Sequence, residues 1–398
     1  MSTLLTPSRR RFLQALGATA LPSLALPGFA QAAGAQLTGD NILVLVELSG
    51  GNDGLNTVIP TTDPRYHELR PTIGINASDA ITLDQNTGLH PDMGDMARLW
   101  DAGDLQIVEG VGYPNPNRSH FRSIEIWNTG SGADAVQQRG WVNETFDMSG
   151  FDRTNDANGL VLGGEMGPLK GQGRFSAVRD VDAYGYMLDN LPGMRHAVRP
   201  TPELSPLDHV LATYDSAQTT GSQIYHKLER SRGRNWGFPE TELGQQLLTA
   251  TRLLEAGVNV PVLKVVQGGY DTHDNQEGQH AALLGELSEA IGAFADAMKK
   301  IDLWDQVTVV TFSEFGRRAY ENASYGTDHG TAAPVFIAGG KVSGGFTGQR
   351  PSLIDLYEED LVHTTDYRRV YDALLNELWG ISESPFSDFR QDPLGIRA

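Results

Sequence analysis

The run from Asn41 to Leu48 is apolar at nearly every position and stops at Ser49-Gly50-Gly51-Asn52-Asp53-Gly54. A strand with one face in water alternates apolar and polar residues. An unbroken run marks a strand covered on both faces, the situation of a parallel sheet between two helix layers. Similar segments recur at Leu105–Val111, Val260–Val266, Val307–Phe312 and Pro334–Ala338. Helical periodicity lies between them. From Glu277 to about Lys300 it places Leu283, Leu284, Leu287, Ile291, Phe294 and Met298 on one face, and further helices are predicted over Glu242–Ala256 and Tyr367–Leu378. This alternation predicts an α/β fold: a doubly wound, mostly parallel sheet flanked by helices. The stretch from about 130 to 240 breaks the rhythm and is rich in Gly, Asn, Asp and Pro, so a loop-rich insertion or cap is expected there.

The first 35 residues read differently. Ser8-Arg9-Arg10-Arg11-Phe12-Leu13 resembles the bacterial twin-arginine export motif. An apolar stretch to Phe29 follows, interrupted by Gly17, Pro22 and Pro27, and then small residues that suit a cleavage site. A membrane span needs roughly 20 apolar residues, and this stretch is too short and too broken. Residues 1–35 are therefore expected to be a twin-arginine signal peptide, with the export machinery as partner, and residues 36–398 a single domain. The mature protein is expected in the periplasm or outside the cell, with no stable membrane span.

Charge and composition narrow the chemistry. The formal net charge is −19, and the signal segment contributes three arginines and no acid, so the remainder is more acidic still. Such a surface argues against binding nucleic acid through its phosphates. The chain has no cysteine, which excludes disulfides, thiolate nucleophiles, zinc–thiolate sites and iron–sulfur clusters. A metal must be held by His, Asp, Glu or Asn, donors that suit Zn, Ca, Mn or Mg.

In open α/β sheets, ligands bind beyond the carboxyl ends of the strands. The polar clusters of this chain fall there. Asp53 follows the first strand, Asp271-Thr272-His273 the third, and Ser313-Glu314-Phe315-Gly316-Arg317 the fourth, while Asp328-His329 precedes the fifth. Two Asp/His pairs beside buried strands point to a divalent metal site. Taken alone, Asp53 is also a plain turn residue. His280 is a ligand or a surface histidine of its helix. Glu314, Arg317 and Asn322 are candidates to surround the site and its bound groups, although Glu314 and Arg317 are spaced to pair with each other.

With these residues in hand, the order of Asp53, a hydroxyl, Asp271/His273 and Asp328-His329 resembles the alkaline phosphatase and sulfatase superfamily. More closely, the chain is similar to a family of twin-arginine-exported bacterial proteins of unknown function placed in that superfamily. The segments that carry this are Leu48-Ser49-Gly50-Gly51-Asn52-Asp53-Gly54, Arg118-Ser119-His120-Phe121, Asp271-Thr272-His273, Ser313–Arg317 and Gly326-Thr327-Asp328-His329-Gly330. The resemblance implies an alkaline phosphatase-like fold and a metal bound by Asp53, Asp271, His273, Asp328 and His329. It also implies Ser119 as nucleophile, Arg118 as anion binder and His120 as acid or base. Ser119 is equally a helix N-cap, and Arg118 equally a structural ion pair. The Cys/Ser-x-Pro-x-Arg signature of sulfatases is missing. His363 is the one candidate for a late ligand, and its absence would imply one metal rather than two, or a site that has lost catalysis.

The expected function is an exported, metal-dependent hydrolase of phosphate or sulfate esters, acting on a small anionic ester or an envelope carbohydrate. The alternative is a non-catalytic exported binding or assembly protein that keeps the fold.

Overall fold

The computed structural model describes residues 41–150, 155–178, 221, 224–228, 234–390 and 394–397. The expected signal peptide and most of residues 179–233 lie outside the described residues.

Twelve strands are described: β1 (Ile42–Leu48), β2 (Val58–Ile59), β3 (Ile81–Thr82), β4 (Gly88–Leu89), β5 (Leu105–Gly112), β6 (Gly159–Val161), β7 (Phe175–Ala177), β8 (Val262–Gln267), β9 (Val307–Phe312), β10 (Ala333–Ala338), β11 (Gly345–Gly348) and β12 (Thr365–Asp366). The short strands β2, β4 and β3 form a small sheet of their own. The others form one sheet in the order β11-β5-β10-β9-β1-β8-β6-β7, with β12 paired to β5.

β1 lies at the centre, parallel to β8 on one side and β9 on the other. Its side chains explain the unbroken apolar run. Val44, Val46 and Leu48 enter one core, while Leu43 and Leu45 enter the other. After two short helices, α1 (Gly54–Thr57) and α2 (Pro64–Leu69), the first core is closed by α3 (Gly94–Asp101), α6 (Glu242–Glu255) and α7 (Gln276–Lys300). The second is closed by α4 (His120–Thr129), α5 (Trp141–Ser149) and α8 (Tyr367–Trp379). Helices on both faces make this a doubly wound α/β fold with a mostly parallel sheet. Among the described residues, no helix is long and apolar enough to cross a membrane.

Two features lie beyond the sequence pattern. β10 runs antiparallel to both its neighbours, β9 and β5. The loop from β9 to β10 therefore leaves and returns at one edge, which carries Asp328 and His329 to the carboxyl ends of the parallel strands. Within the stretch expected as an insertion, β6 and β7 extend the sheet beyond β8, and α5 packs on its face.

Candidate metal centre

Four loops meet at the carboxyl edge of the sheet, and a buried arginine ties three of them together. Arg317 Nε donates to Gly51 O at 2.7 Å, in the loop after β1. Its Nη1 donates to Thr327 O at 2.9 Å, in the loop before β10. Its Nη2 donates to Tyr270 O at 3.0 Å and to Asp271 Oδ1 at 2.7 Å, in the loop after β8. The loop after β1 must run flat against the next one. Gly50 has φ +120°, and a Cβ there would lie 2.4 Å from the Asp271 nitrogen. Only glycine tolerates both that conformation and that approach.

A fourth loop brings α4. β5 ends at this edge, and α4 opens at His120. Ser123 of that helix donates its hydroxyl to Glu314 O, which fixes the helix to the end of β9. Phe315 packs beneath, its ring 4.6 Å from that of His329 and 4.9 Å from that of His120.

Three imidazoles then converge on Asp271. His329 Nε2 and His273 Nε2 each lie 3.0 Å from Asp271 Oδ1 and 2.9 Å from one another. His120 Nε2 lies 3.4 Å from Asp271 Oδ2. Behind each ring, Nδ1 meets a pure acceptor. For His120 this is Glu314 Oε1 at 2.9 Å, for His273 Asp328 Oδ1 at 3.2 Å, and for His329 Arg118 O at 2.8 Å. Each Nδ1 is therefore assigned as a donor, and each ring turns its Nε2 inward. Burial holds His329 below the ordinary histidine value, against the pull of Asp271, so it is neutral near pH 7. Burial raises Asp271, but the Arg317 guanidinium outweighs it, and the carboxyl comes down to about 2.

The result is three Nε2 atoms crowded around an anion, with the Arg317 guanidinium as the one fixed donor among them. A cation at the centre resolves that crowding. Two ligand atoms each about 2.0–2.1 Å from a tetrahedral zinc lie about 3.3 Å apart, close to the separations seen here. Among the described residues, His120, Asp271 and His329 form the one group whose ligand atoms are mutually close enough to share an ion, and His273 adjoins it. Imidazole nitrogens held by a carboxylate or carbonyl behind the ring are the usual form of such ligands. The residues fit a metal.

Several sequence expectations are placed differently. Asp53 does not join the cluster. It is buried in an ion pair with Arg70, Oδ2 to Nη1 at 2.6 Å, with both side chains fully enclosed. Burial alone would raise its pKa, but Arg70 holds it below the usual carboxylate value. Asp328 stands behind His273 and orients it. Asn322 holds that pair from the side, its amide donating to His273 O at 2.9 Å and to Asp328 Oδ1 at 3.2 Å. Glu314 and Arg317 do not pair with each other: Glu314 faces His120, and Arg317 faces Asp271. The Arg118 guanidinium is taken by Asp360 at 2.6 Å, and it is the backbone carbonyl of Arg118 that serves the site. Ser119 is the exposed N-cap of α4, yet its side chain makes no capping bond. His280 is buried on α7 against Asn52 and lies outside the cluster, as does His363.

His120 was legible as a chemical group but not as a ligand. Its signal is its position, the first residue of a helix that opens at the carboxyl edge. Nothing in the sequence marks Arg70.

Residues 40–375 match the family described as "Protein of unknown function (DUF1501)", and the chain belongs to that family. No curated protein matches the chain. Among solved structures it is similar to the lipoteichoic acid synthase LtaP from Listeria monocytogenes, at 12% identity and a TM-score of 0.41, over 90% of this chain and 76% of that one. It is also similar to a protein in the alkaline phosphatase superfamily from Vibrio parahaemolyticus, at 12% identity and a TM-score of 0.37, over 87% and 68% of the two chains. A sulfatase from Pseudoalteromonas sp. aligns at 10% identity with a TM-score of 0.39, over 90% and 73%.

Proposed function

We propose that this chain is a metal-dependent hydrolase of phosphate or sulfate esters, exported by the twin-arginine pathway, with one divalent ion at Asp271. The observation that carries the reading is the triad of Nδ1-anchored histidines, His120, His273 and His329, whose Nε2 atoms face the Asp271 carboxylate. Imidazole-rich sets of this kind suit zinc better than calcium or magnesium, which favour oxygen ligands. A divalent ion held there supplies Lewis acidity toward an ester oxygen and makes water a better nucleophile.

The chain's own groups have separable tasks. Asp271 and the Nε2 atoms of His120 and His329 would hold the ion, with His273 beside them as a further donor. Glu314, Asp328 and the Arg118 carbonyl fix ring orientation and tautomer. Arg317 holds Asp271 ionised. The side chains of Asp271 and His273 are 46% and 41% exposed, which leaves the outward side of the cluster open to substrate. Ser119 adjoins His120 at the positive end of α4 and is not spent on capping, which supports it as the attacking hydroxyl. No second metal is proposed, because Arg70 already neutralises Asp53.

The test is turnover of p-nitrophenyl phosphate, bis(p-nitrophenyl) phosphate and p-nitrophenyl sulfate by purified mature protein. The expected result is hydrolysis of at least one ester, lost on chelation and restored by zinc. A zinc-loaded protein that hydrolyses none of them overturns the reading in favour of a binding or assembly role.

A further inference from the structure

The two ligand-bearing loops, Asp271–His273 and Asp328-His329, come from segments more than fifty residues apart. Arg317 ties their backbones to the sheet on one side. On the other side they meet at the first residue of α7. Gln276 is fully buried, although it opens a helix whose neighbours Asn275 and Glu277 are exposed. Its Oε1 accepts from the Thr272 hydroxyl at 3.1 Å and from the Thr327 hydroxyl at 2.6 Å. Thr272 stands between the ligands Asp271 and His273, and Thr327 directly precedes Asp328-His329. The same two loops touch through Thr327 N to Thr272 O at 3.2 Å.

The other end of the Gln276 amide is also fixed. Its Nε2 donates to Asp53 Oδ2 at 2.5 Å, and that oxygen also accepts from Arg70 Nη1 at 2.6 Å. Arg70 in turn donates to Ala319 O at 3.0 Å and to Arg318 O at 2.9 Å. The backbone of Gln276 is held as well, its N–H donating to Tyr325 O at 2.9 Å. With the amide oxygen accepting twice and the amide nitrogen tied to an ionised carboxylate, its orientation is set. A flipped amide would point its donors at two hydroxyls and its oxygen at an anion.

We infer that Gln276 is a positioning residue: it clamps the Thr272 and Thr327 hydroxyls together and so sets the separation of the two ligand loops, with Asp53 and Arg70 as its anchor. This inference rests on the proposed metal site for its consequence, but not for its geometry. It gives Asp53 a task one step removed from the metal. It also gives the two threonine hydroxyls beside the ligands a shared partner.

The experiment uses the full mature chain and two readouts. The first is hydrogen exchange in the metal-free protein. Gln276→Met, of similar length but without the amide, is expected to speed exchange at the Thr272–His273 and Thr327–His329 amides at least tenfold and to leave β5 unchanged. The second is zinc affinity, read by competition with a chelator. Outer-shell partners of metal ligands typically change affinity by about 10–100-fold, and Gln276→Met is expected to weaken binding within that range. Thr272→Val and Thr327→Val remove one arm each. Each is expected to weaken binding, and neither should add to Gln276→Met, because all act through one clamp. Exchange and affinity both unchanged in Gln276→Met overturn the inference. So do effects of the two threonine variants that add in full to that of Gln276→Met. If Gln276→Met does not fold, the threonine variants decide alone, and wild-type affinity in both overturns it. A wild-type protein that binds no metal but shows the exchange change defeats the proposed function and leaves the clamp standing.

Discussion

Replacing Arg70 by methionine strands a carboxylate inside the protein. Asp53 and Arg70 are both fully enclosed, 2.6 Å apart. Removing one partner of a buried pair costs about 3–5 kcal/mol, because the remaining charge keeps its desolvation penalty. Asp53 keeps only the Leu55 N–H at 3.2 Å and the Gln276 amide, and two backbone carbonyls, Ala319 O and Arg318 O, lose their donor. The expected loss is about 4 kcal/mol at pH 7, a large share of the roughly 5–15 kcal/mol that holds a domain folded. The pH dependence reverses as well. In the wild type the Asp53 pKa is depressed below 3.8. Its contribution is therefore present above that value and lost as pH falls through the folded pKa. Without Arg70, burial dominates and raises the pKa, so the folded state binds the proton first and the variant recovers stability as pH falls from 7 toward 4. Urea unfolding at pH 7 and pH 5 reads both effects, and Asp53→Asn combined with Arg70→Met should regain about half of the loss, on the order of 2 kcal/mol. A single variant that loses less than about 1 kcal/mol, with the same deficit at both pH values, would refute the buried-pair account.

Three further outcomes follow from other parts of the molecule. His280 is fully buried, and burial lowers its pKa from 6.5 to about 4. The unfolded chain therefore binds a proton that the folded chain refuses, and stability falls by up to about 3 kcal/mol as pH drops from 6.5 to 4. His280→Gln should flatten that part of the denaturation profile, and an identical profile contradicts the assignment. Ser119→Ala should reduce ester turnover at least about a hundredfold with zinc affinity unchanged if the hydroxyl attacks, and full activity would transfer that task to water. Replacing Arg9-Arg10 by Lys-Lys should retain folded, metal-loaded protein in the cytoplasm, as cell fractionation would show, whereas unimpaired export contradicts the twin-arginine assignment. A site drawn from residues 120 to 329 exists only in the finished fold, which suits a pathway for folded cargo.

The sheet was legible because burial on both faces leaves a local trace. Ile42–Leu48 is apolar but for Glu47, and Val307–Phe312 but for two threonines, and each can be read within its own few residues. Direction was not legible. The pattern of Ala333–Ala338 is the same whether it runs parallel or antiparallel, and only its pairing with β5 and β9 decides. The site divides in the same way. The pairs Asp271/His273 and Asp328/His329 announce themselves by lying at strand ends. The contacts that assign their tasks join distant segments: His120 to Glu314, His329 to Arg118, and Asp53 to Arg70. Asp53 shows the limit most clearly. Its setting, Asn-Asp-Gly after a buried strand, suits a ligand, and the guanidinium that occupies it comes from a short helix end with no motif. β6 and β7 were missed because three-residue strands carry too little pattern to stand out in a Gly- and Asn-rich stretch.

The most direct measurement of the central claim is calorimetric titration of zinc into metal-free wild-type protein and into Asp271→Asn. Asp271 touches every imidazole of the cluster and the buried Arg317. The account predicts one zinc per wild-type chain, with binding weakened at least about a hundredfold in Asp271→Asn while the fold is retained. A wild-type chain that takes up no divalent ion, or an Asp271→Asn protein that binds zinc as tightly as the wild type, would contradict it.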